Sequence, residues 1–171
     1  MGLGSVGSTL AYRIHLAGAK VIGLVEQERA LPYVERVYLL TEMDAFLQEV
    51  DFLVLALPLT DRTEGILGDR EFAQMKESAY LINVNRGPLV QERALLDALS
   101  QKRIAGAVLD VFDEEPLPAN HPLWEAENVV LTPHISGPSL PEEITKVFLR
   151  NLKRFEEGKT LEGVVDISQG Y

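Results

Sequence analysis

The chain of 171 residues predicts a doubly wound α/β domain built on a parallel sheet. Three observations carry that reading. Helical and strand-like segments alternate along most of the chain. The strand-like runs are short and apolar, and 52–57 is continuous, the pattern of a strand covered on both faces. A glycine-rich turn, Gly2-Leu3-Gly4-Ser5-Val6-Gly7, opens the first helix.

Taken in order, residues 5–17 have helical spacing through Leu10, Ile14 and Leu16 and stop at Gly18. Residues 20–25 read as a short buried strand. The stretch 27–37 is irregular around Pro32, and 37–39 is a minor strand. A helix over 42–48 is entered through Thr41 as N-cap. Strand 52–57 follows, then a short helix 69–75, strand 79–84 and helix 90–100 with Leu95, Leu96 and Leu99 inward. Strand 104–111 leads into an irregular stretch with Pro116, Pro118 and Pro122, then strand 129–131. Residues 140–157 form the longest helix, with Pro141 tolerated in its first turn. No repeat or low-complexity segment interrupts this order.

Composition narrows the function classes. Apolar residues make up 46% and charged residues 25%, an ordinary globular balance. The net charge of −10 leaves no electrostatic footprint for a phosphate backbone or anionic lipid, so nucleic acid and membrane are not expected partners. With no cysteine there is no disulfide framework and no thiolate chemistry. The longest apolar run, 52–59, is too short to span a bilayer, and with no basic region followed by a hydrophobic stretch at the N-terminus no signal peptide is expected. A cytoplasmic location is the expectation.

The glycine turn matches the dinucleotide fingerprint. Gly2 allows the tight turn, Gly4 a close approach of pyrophosphate, and Gly7 close helix packing. The helix beginning at Ser5 and Val6 would aim its amides at the phosphates. An acid about 20 residues onward should bind the ribose hydroxyls. Glu26 stands 19 residues past Gly7. Its carboxylate would repel a 2′-phosphate, which favours NAD, although Arg29 keeps NADP open. Only Met1 precedes the turn, where a central strand belongs. The sequence is therefore expected to lack the first strand of its sheet and to be part of a longer chain.

Three polar side chains follow three strand-like runs: Arg86 in Asn83-Val84-Asn85-Arg86-Gly87, Glu115 in Asp110-Val111-Phe112-Asp113-Glu114-Glu115-Pro116, and His134 in Thr132-Pro133-His134-Ile135-Ser136-Gly137. Ligands of a parallel sheet bind outside the carboxyl ends of its strands, so all three should meet at one edge. A guanidinium grips a planar carboxylate through two hydrogen bonds. An imidazole titrates near neutral pH and is the natural general base. Pattern alone leaves Asp113, Glu114 and Glu115 as candidates for the acid. His15 and His121 read as structural, and no metal is implied, because His134 has no ligand partner at the spacing a metal needs.

These motifs, in this order, resemble the D-isomer-specific 2-hydroxyacid dehydrogenase family. The resemblance runs from Gly2 to the tail, where Val164-Val165-Asp166 and Gly170-Tyr171 also look family-like. It implies a Rossmann-type NAD-binding domain over 1–138. It also implies a helix and tail over 139–171 that would return to a substrate domain not contained in this sequence. It selects Glu115, which stands immediately before Pro116 and five residues after Asp110. It implies that Arg86, Glu115 and His134 are catalytic in exchanging a hydride between NAD(H) and a 2-hydroxy or 2-keto acid. It further implies that Leu57, Pro58, Thr60, Asp110, Ser136 and Gly137 lie along the cofactor, and that the protein forms a homodimer. The chain departs from the family pattern at Val25, where an acid commonly follows the strand directly, and at Asn85 and Gln91. With no substrate domain, weak or absent turnover by this chain alone is expected. An NAD(H)-binding sensor without turnover is the competing reading, disfavoured by the intact trio. A methyltransferase would share the glycines and the acid but has no use for Arg86 and His134.

Overall fold

The computed structural model describes residues 1–137 and 140–167, and among them lie six short strands and five α-helices. The strands are β1 (Ile22–Val25), β2 (Arg36–Leu39), β3 (Phe52–Leu55), β4 (Tyr80–Asn83), β5 (Gly106–Leu109) and β6 (Val129–Leu131). The helices are α1 (Ser5–Leu16), α2 (Met43–Glu49), α3 (Asp69–Phe72), α4 (Glu92–Ser100) and α5 (Pro141–Glu156). β1 pairs with β2, and β3-β4-β5-β6 form a second ladder; every pairing is parallel. The doubly wound α/β expectation holds.

The two ladders are joined by the residues that precede the glycine turn. The Gly2 amide donates to the Leu24 carbonyl of β1 at 2.9 Å. The Met1 amino group donates to Val54 O of β3 at 2.7 Å, and Ala56 N donates to Met1 O at 2.9 Å. Met1 and Gly2 thus occupy the carboxyl end of the first-strand position. β1 and β3 do not pair with one another; Met1 and Gly2 bridge them at the end where the glycine turn begins.

The core lies along these strands. Leu24, Tyr38, Phe46 and Leu47 seal the β1–β2 half, while Leu53, Leu55, Phe72, Leu81 and Leu89 seal the other. Several expectations are corrected. Phe52 is 66% exposed, so its strand is not covered on both faces at that end; its ring stacks on Tyr80 instead. Helix α1 buries Gly7 and Ala11 rather than a Leu10–Leu16 stripe, and Leu16 faces solvent. Small residues bring that helix close to the sheet. α4 buries Ala94, Leu95 and Ala98, with Leu96 and Leu99 packed at its margin. Thr41 caps nothing: it lies in a 3-10 turn, and Glu42 receives the Leu39 amide at 2.9 Å. The strands are shorter than expected because the chain leaves the ladder early, at Leu55, Asn83 and Leu109, to build loops at their carboxyl ends.

Helix α5 begins with Pro141 in its first turn and buries none of its residues. Ile144, Phe148, Leu152 and Phe155, spaced by helical turns, form an exposed apolar stripe. The expected division between 138 and 139 falls outside the described residues, as do Gly170 and Tyr171. Among the described residues no helix is long and apolar enough to cross a membrane.

Candidate active site

The glycine turn enters α1 directly beneath the carboxyl ends of β1 and β3. A Cβ on Gly7 would stand 2.0 Å from the Gly2 carbonyl oxygen, so no larger residue lets the helix pack onto its own entry turn. Gly4, the N-cap, has nothing within 4 Å of its Cβ position. No side chain caps the helix and no acid stands in its first turn. The exposed amides and positive dipole end fit an anion such as a pyrophosphate, with Ser5 and Val6 on the first turn beside it.

The loops after β1 and β3 flank that turn. Glu26, directly after β1, is gripped by the guanidinium of Arg62: Nη1 donates to Oε1, and Nη2 reaches Oε2 at 3.3 Å. Arg29 Nη1 donates to the Leu3 carbonyl at 2.5 Å. Leu57 is buried in the core, and its carbonyl accepts the Asn85 amide side chain. Thr63 Oγ1 donates to Pro58 O at 2.6 Å and accepts the Thr60 amide at 2.8 Å, which locks the 58–63 turn.

At the other end, His134 Nδ1 and Glu115 Oε2 are 2.7 Å apart. Glu115 Oε1 accepts the Phe112 amide at 2.9 Å. The bonds from the imidazole and from that amide hold the Glu115 carboxyl below its usual range, and the nearby charge of Arg86 adds to the effect. An ionised Glu115 accepts the hydrogen bond from Nδ1–H, which makes Nε2 the lone-pair nitrogen of the uncharged tautomer. His134 adopts φ +54°, a left-handed conformation that costs a non-glycine residue about 1–2 kcal/mol. Its amide is held by Asp110 O at 2.8 Å.

Arg86 is exposed, with Nη1 donating to Asn85 O at 2.6 Å and, among the described residues, no second hydrogen bond from its fork to protein. Buried Asn83 ties its turn together, donating to Arg86 O at 2.9 Å and accepting the Asn85 amide at 3.2 Å. Gly87 lets this loop touch the loop that carries Glu115, since a Cβ there would stand 2.1 Å from the Phe112 carbonyl carbon. A mostly apolar cavity of about 500 Å³ opens beside His134 and Glu115, lined also by Phe112, Leu117, Trp124 and Leu131.

Asp110 joins these parts. Its side chain is buried, and both oxygens are occupied: Oδ1 by Thr132 Oγ1 and the Ile135 amide, Oδ2 by the Ser136 amide and hydroxyl at 2.9 and 2.6 Å. Burial opposes its ionisation, but the bonds from Ser136, Thr132 and the Ile135 amide outweigh that and hold the carboxyl far below its usual range. Asp110 and Ser136, expected beside the cofactor, thus also clamp the segment that presents His134. Gly137 ends that segment with open space around its Cβ position. His121 is a local fixture: Nε2 meets Glu92 at 3.0 Å and Nδ1 accepts the Leu123 amide at 3.3 Å.

Asn83, Thr132 and Arg62 were not singled out from sequence. A polar residue ending an apolar strand marked the first. Arg62 and Glu26 are 36 residues apart and left no local signal.

Comparison with known proteins gives a consistent result. Residues 1–136 match the family model described as D-isomer specific 2-hydroxyacid dehydrogenase, NAD binding domain. Glyoxylate/hydroxypyruvate reductase A of Yersinia enterocolitica is 36% identical over the whole of this chain, which spans 55% of that protein. A D-isomer specific 2-hydroxyacid dehydrogenase from Xanthobacter autotrophicus, solved with NADPH and MES, superposes with a TM-score of 0.95 at 37% identity. That match covers 99% of this chain and 70% of the other. An NADPH-dependent glyoxylate/hydroxypyruvate reductase from Sinorhizobium meliloti, solved with NADP and sulfate, gives 0.94 at 36%, covering 100% and 55%. The chain spans about half the length of the curated relatives it matches.

Proposed function

The chain belongs to the D-isomer specific 2-hydroxyacid dehydrogenase family, and from that premise we propose that it is the nucleotide-binding and catalytic half of an enzyme interconverting a 2-hydroxy acid and a 2-keto acid. The observation that carries this is the His134–Glu115 pair, set at the same sheet edge as Arg86 and the glycine turn. The bound nicotinamide supplies the hydride acceptor or donor. Arg86 holds the substrate carboxylate through the free part of its fork. His134 Nε2 takes the hydroxyl proton in oxidation and returns it in reduction. Glu115 fixes the ring and stabilises its charged form.

Residues 1–138 serve as the nucleotide domain, and 139–171 lead toward a substrate domain. A small 2-keto acid of the glyoxylate or hydroxypyruvate class is the proposed substrate, by analogy with the relatives. The proposed cofactor is NAD, supported by the Glu26 carboxylate directly after β1, which would repel a 2′-phosphate, although solved relatives hold NADPH or NADP. The exposed apolar stripe of α5 supports pairing with a second copy.

The test has two stages. NADH should bind this chain, read by its fluorescence. Fusion to the substrate-domain segments of a relative should then produce keto-acid-dependent NADH oxidation. His134→Ala should lower the rate of that fusion about 10²–10⁴-fold, the usual worth of a general acid–base. Arg86→Ala should chiefly raise KM. NADH binding with no turnover in a folded fusion would instead support a sensor.

A further inference from the structure

Nothing in the catalytic trio requires Arg62, yet it makes a two-pronged bond to the residue that should choose the cofactor. Its position is not accidental to a floppy loop. Thr63 braces the turn on both sides, accepting the Thr60 amide and donating to Pro58 O, and the Glu64 amide closes the same turn onto Thr60 O at 2.9 Å. The guanidinium therefore leaves a fixed turn after β3 and crosses to Glu26 after β1. Those two loops flank the glycine turn, so the ion pair spans the mouth where the adenosine end of a dinucleotide would lie.

Building on the cofactor reading above, we propose that Arg62 is a specificity-determining residue: it clamps Glu26 toward the ribose and is itself withheld from a 2′-phosphate. A guanidinium fork matches carboxylate and phosphate equally well in shape. While Glu26 holds it, the Nη1–Nη2 edge of the fork is taken, and the carboxylate beside it repels a phosphate. Remove the acid and the same fork becomes a phosphate site. Selectivity thus resides in the pair rather than in Glu26 alone. Arg29 is the competing cation, but its Nη1 is committed to the Leu3 carbonyl.

The experiment is a set of equilibrium titrations of NADH and NADPH into this chain and its variants, all at one ionic strength. Both side chains are at the surface, so the variants should fold, which unchanged far-ultraviolet dichroism and melting would confirm. Glu26→Gln should tighten NADPH at least tenfold while weakening NADH a few-fold. Glu26→Gln with Arg62→Ala should lose that gain, whereas Glu26→Gln with Arg29→Ala should keep it. If the gain survives loss of Arg62, or disappears with Arg29 instead, the proposal is overturned. No gain on Glu26→Gln would overturn it as well. The outcome is distinct from that of the cofactor reading. Equal binding of NADH and NADPH by the unmodified chain would refute the preference for NAD, while the dependence of the gain on Arg62 would still be read from the variants.

Discussion

At the scale of single residues, the site works by giving each titratable group a defined neighbour. Glu115 is held below its usual carboxylate range by the imidazole of His134 and the Phe112 amide, and its contact with Nδ1 assigns the proposed proton transfer to Nε2. Glu115→Gln keeps the shape but removes the charge that favours imidazolium. In a fusion competent for turnover, the pH–rate profile for keto-acid reduction should move to lower pH. His134 would then lose its proton earlier as pH rises. An unchanged profile would assign the orienting role elsewhere, to Asp113 or Glu114. The sequence motifs around Arg86, Glu115 and His134 were legible because each combines a strand end with an uncommon local pattern. The long-range partners were not. Asp110 meets Ser136 26 residues away, and only the parallel pairing of β5 with β6 brings them together.

At the scale of elements, loops at the carboxyl ends of β4, β5 and β6 are tied to one another by buried polar groups. Asp110→Asn tests the strongest tie. An amide cannot accept at both ends, so one set of donors, from Thr132 and Ile135 or from Ser136, loses its acceptor. The cost should be about 2–4 kcal/mol at neutral pH by chemical denaturation. Because the folded-state pKa of Asp110 is depressed, its contribution is complete above the unfolded value near 4. It is lost as pH falls toward the folded value. The unmodified chain should therefore lose stability more steeply than the variant below about pH 4. Gly87→Ala is a second test, since its Cβ would collide with the Phe112–Asp113 backbone. A cost of about 1–3 kcal/mol is expected from melting curves, as for other overpacked sites. Element order was readable from apolar runs and turn residues. The exposed end of β3 was not, because an apolar run does not say which of its residues meets a covering helix, and Phe52 stacks on Tyr80 while staying exposed.

At the scale of the whole molecule, the sheet is two ladders connected through a few backbone bonds. Unpaired backbone in mid-sheet is costly, and at the carboxyl end Met1 and Gly2 supply partners, bonding to Leu24, Val54 and Ala56. β1 and β2 otherwise depend on the packing of α2 through Leu24, Tyr38, Phe46 and Leu47. The β3–β6 ladder has three consecutive strand pairings and a larger share of the buried apolar surface. The β1–β2 half should therefore open at lower free energy than the other, as local units with fewer buried contacts do. Native-state hydrogen exchange should show β1 amides exchanging faster than those of β4 and β5. Gly2→Ala sharpens the test. Gly2 has φ +85°, and a Cβ there would stand 2.5 Å from Ala56 O, so the substitution strains the joint itself. Exchange in β1 and at Ala56 should accelerate in that variant at least tenfold, with β4 and β5 changing much less. Equal acceleration across both ladders would mean that the sheet opens as one unit and that Met1 and Gly2 are not its joint.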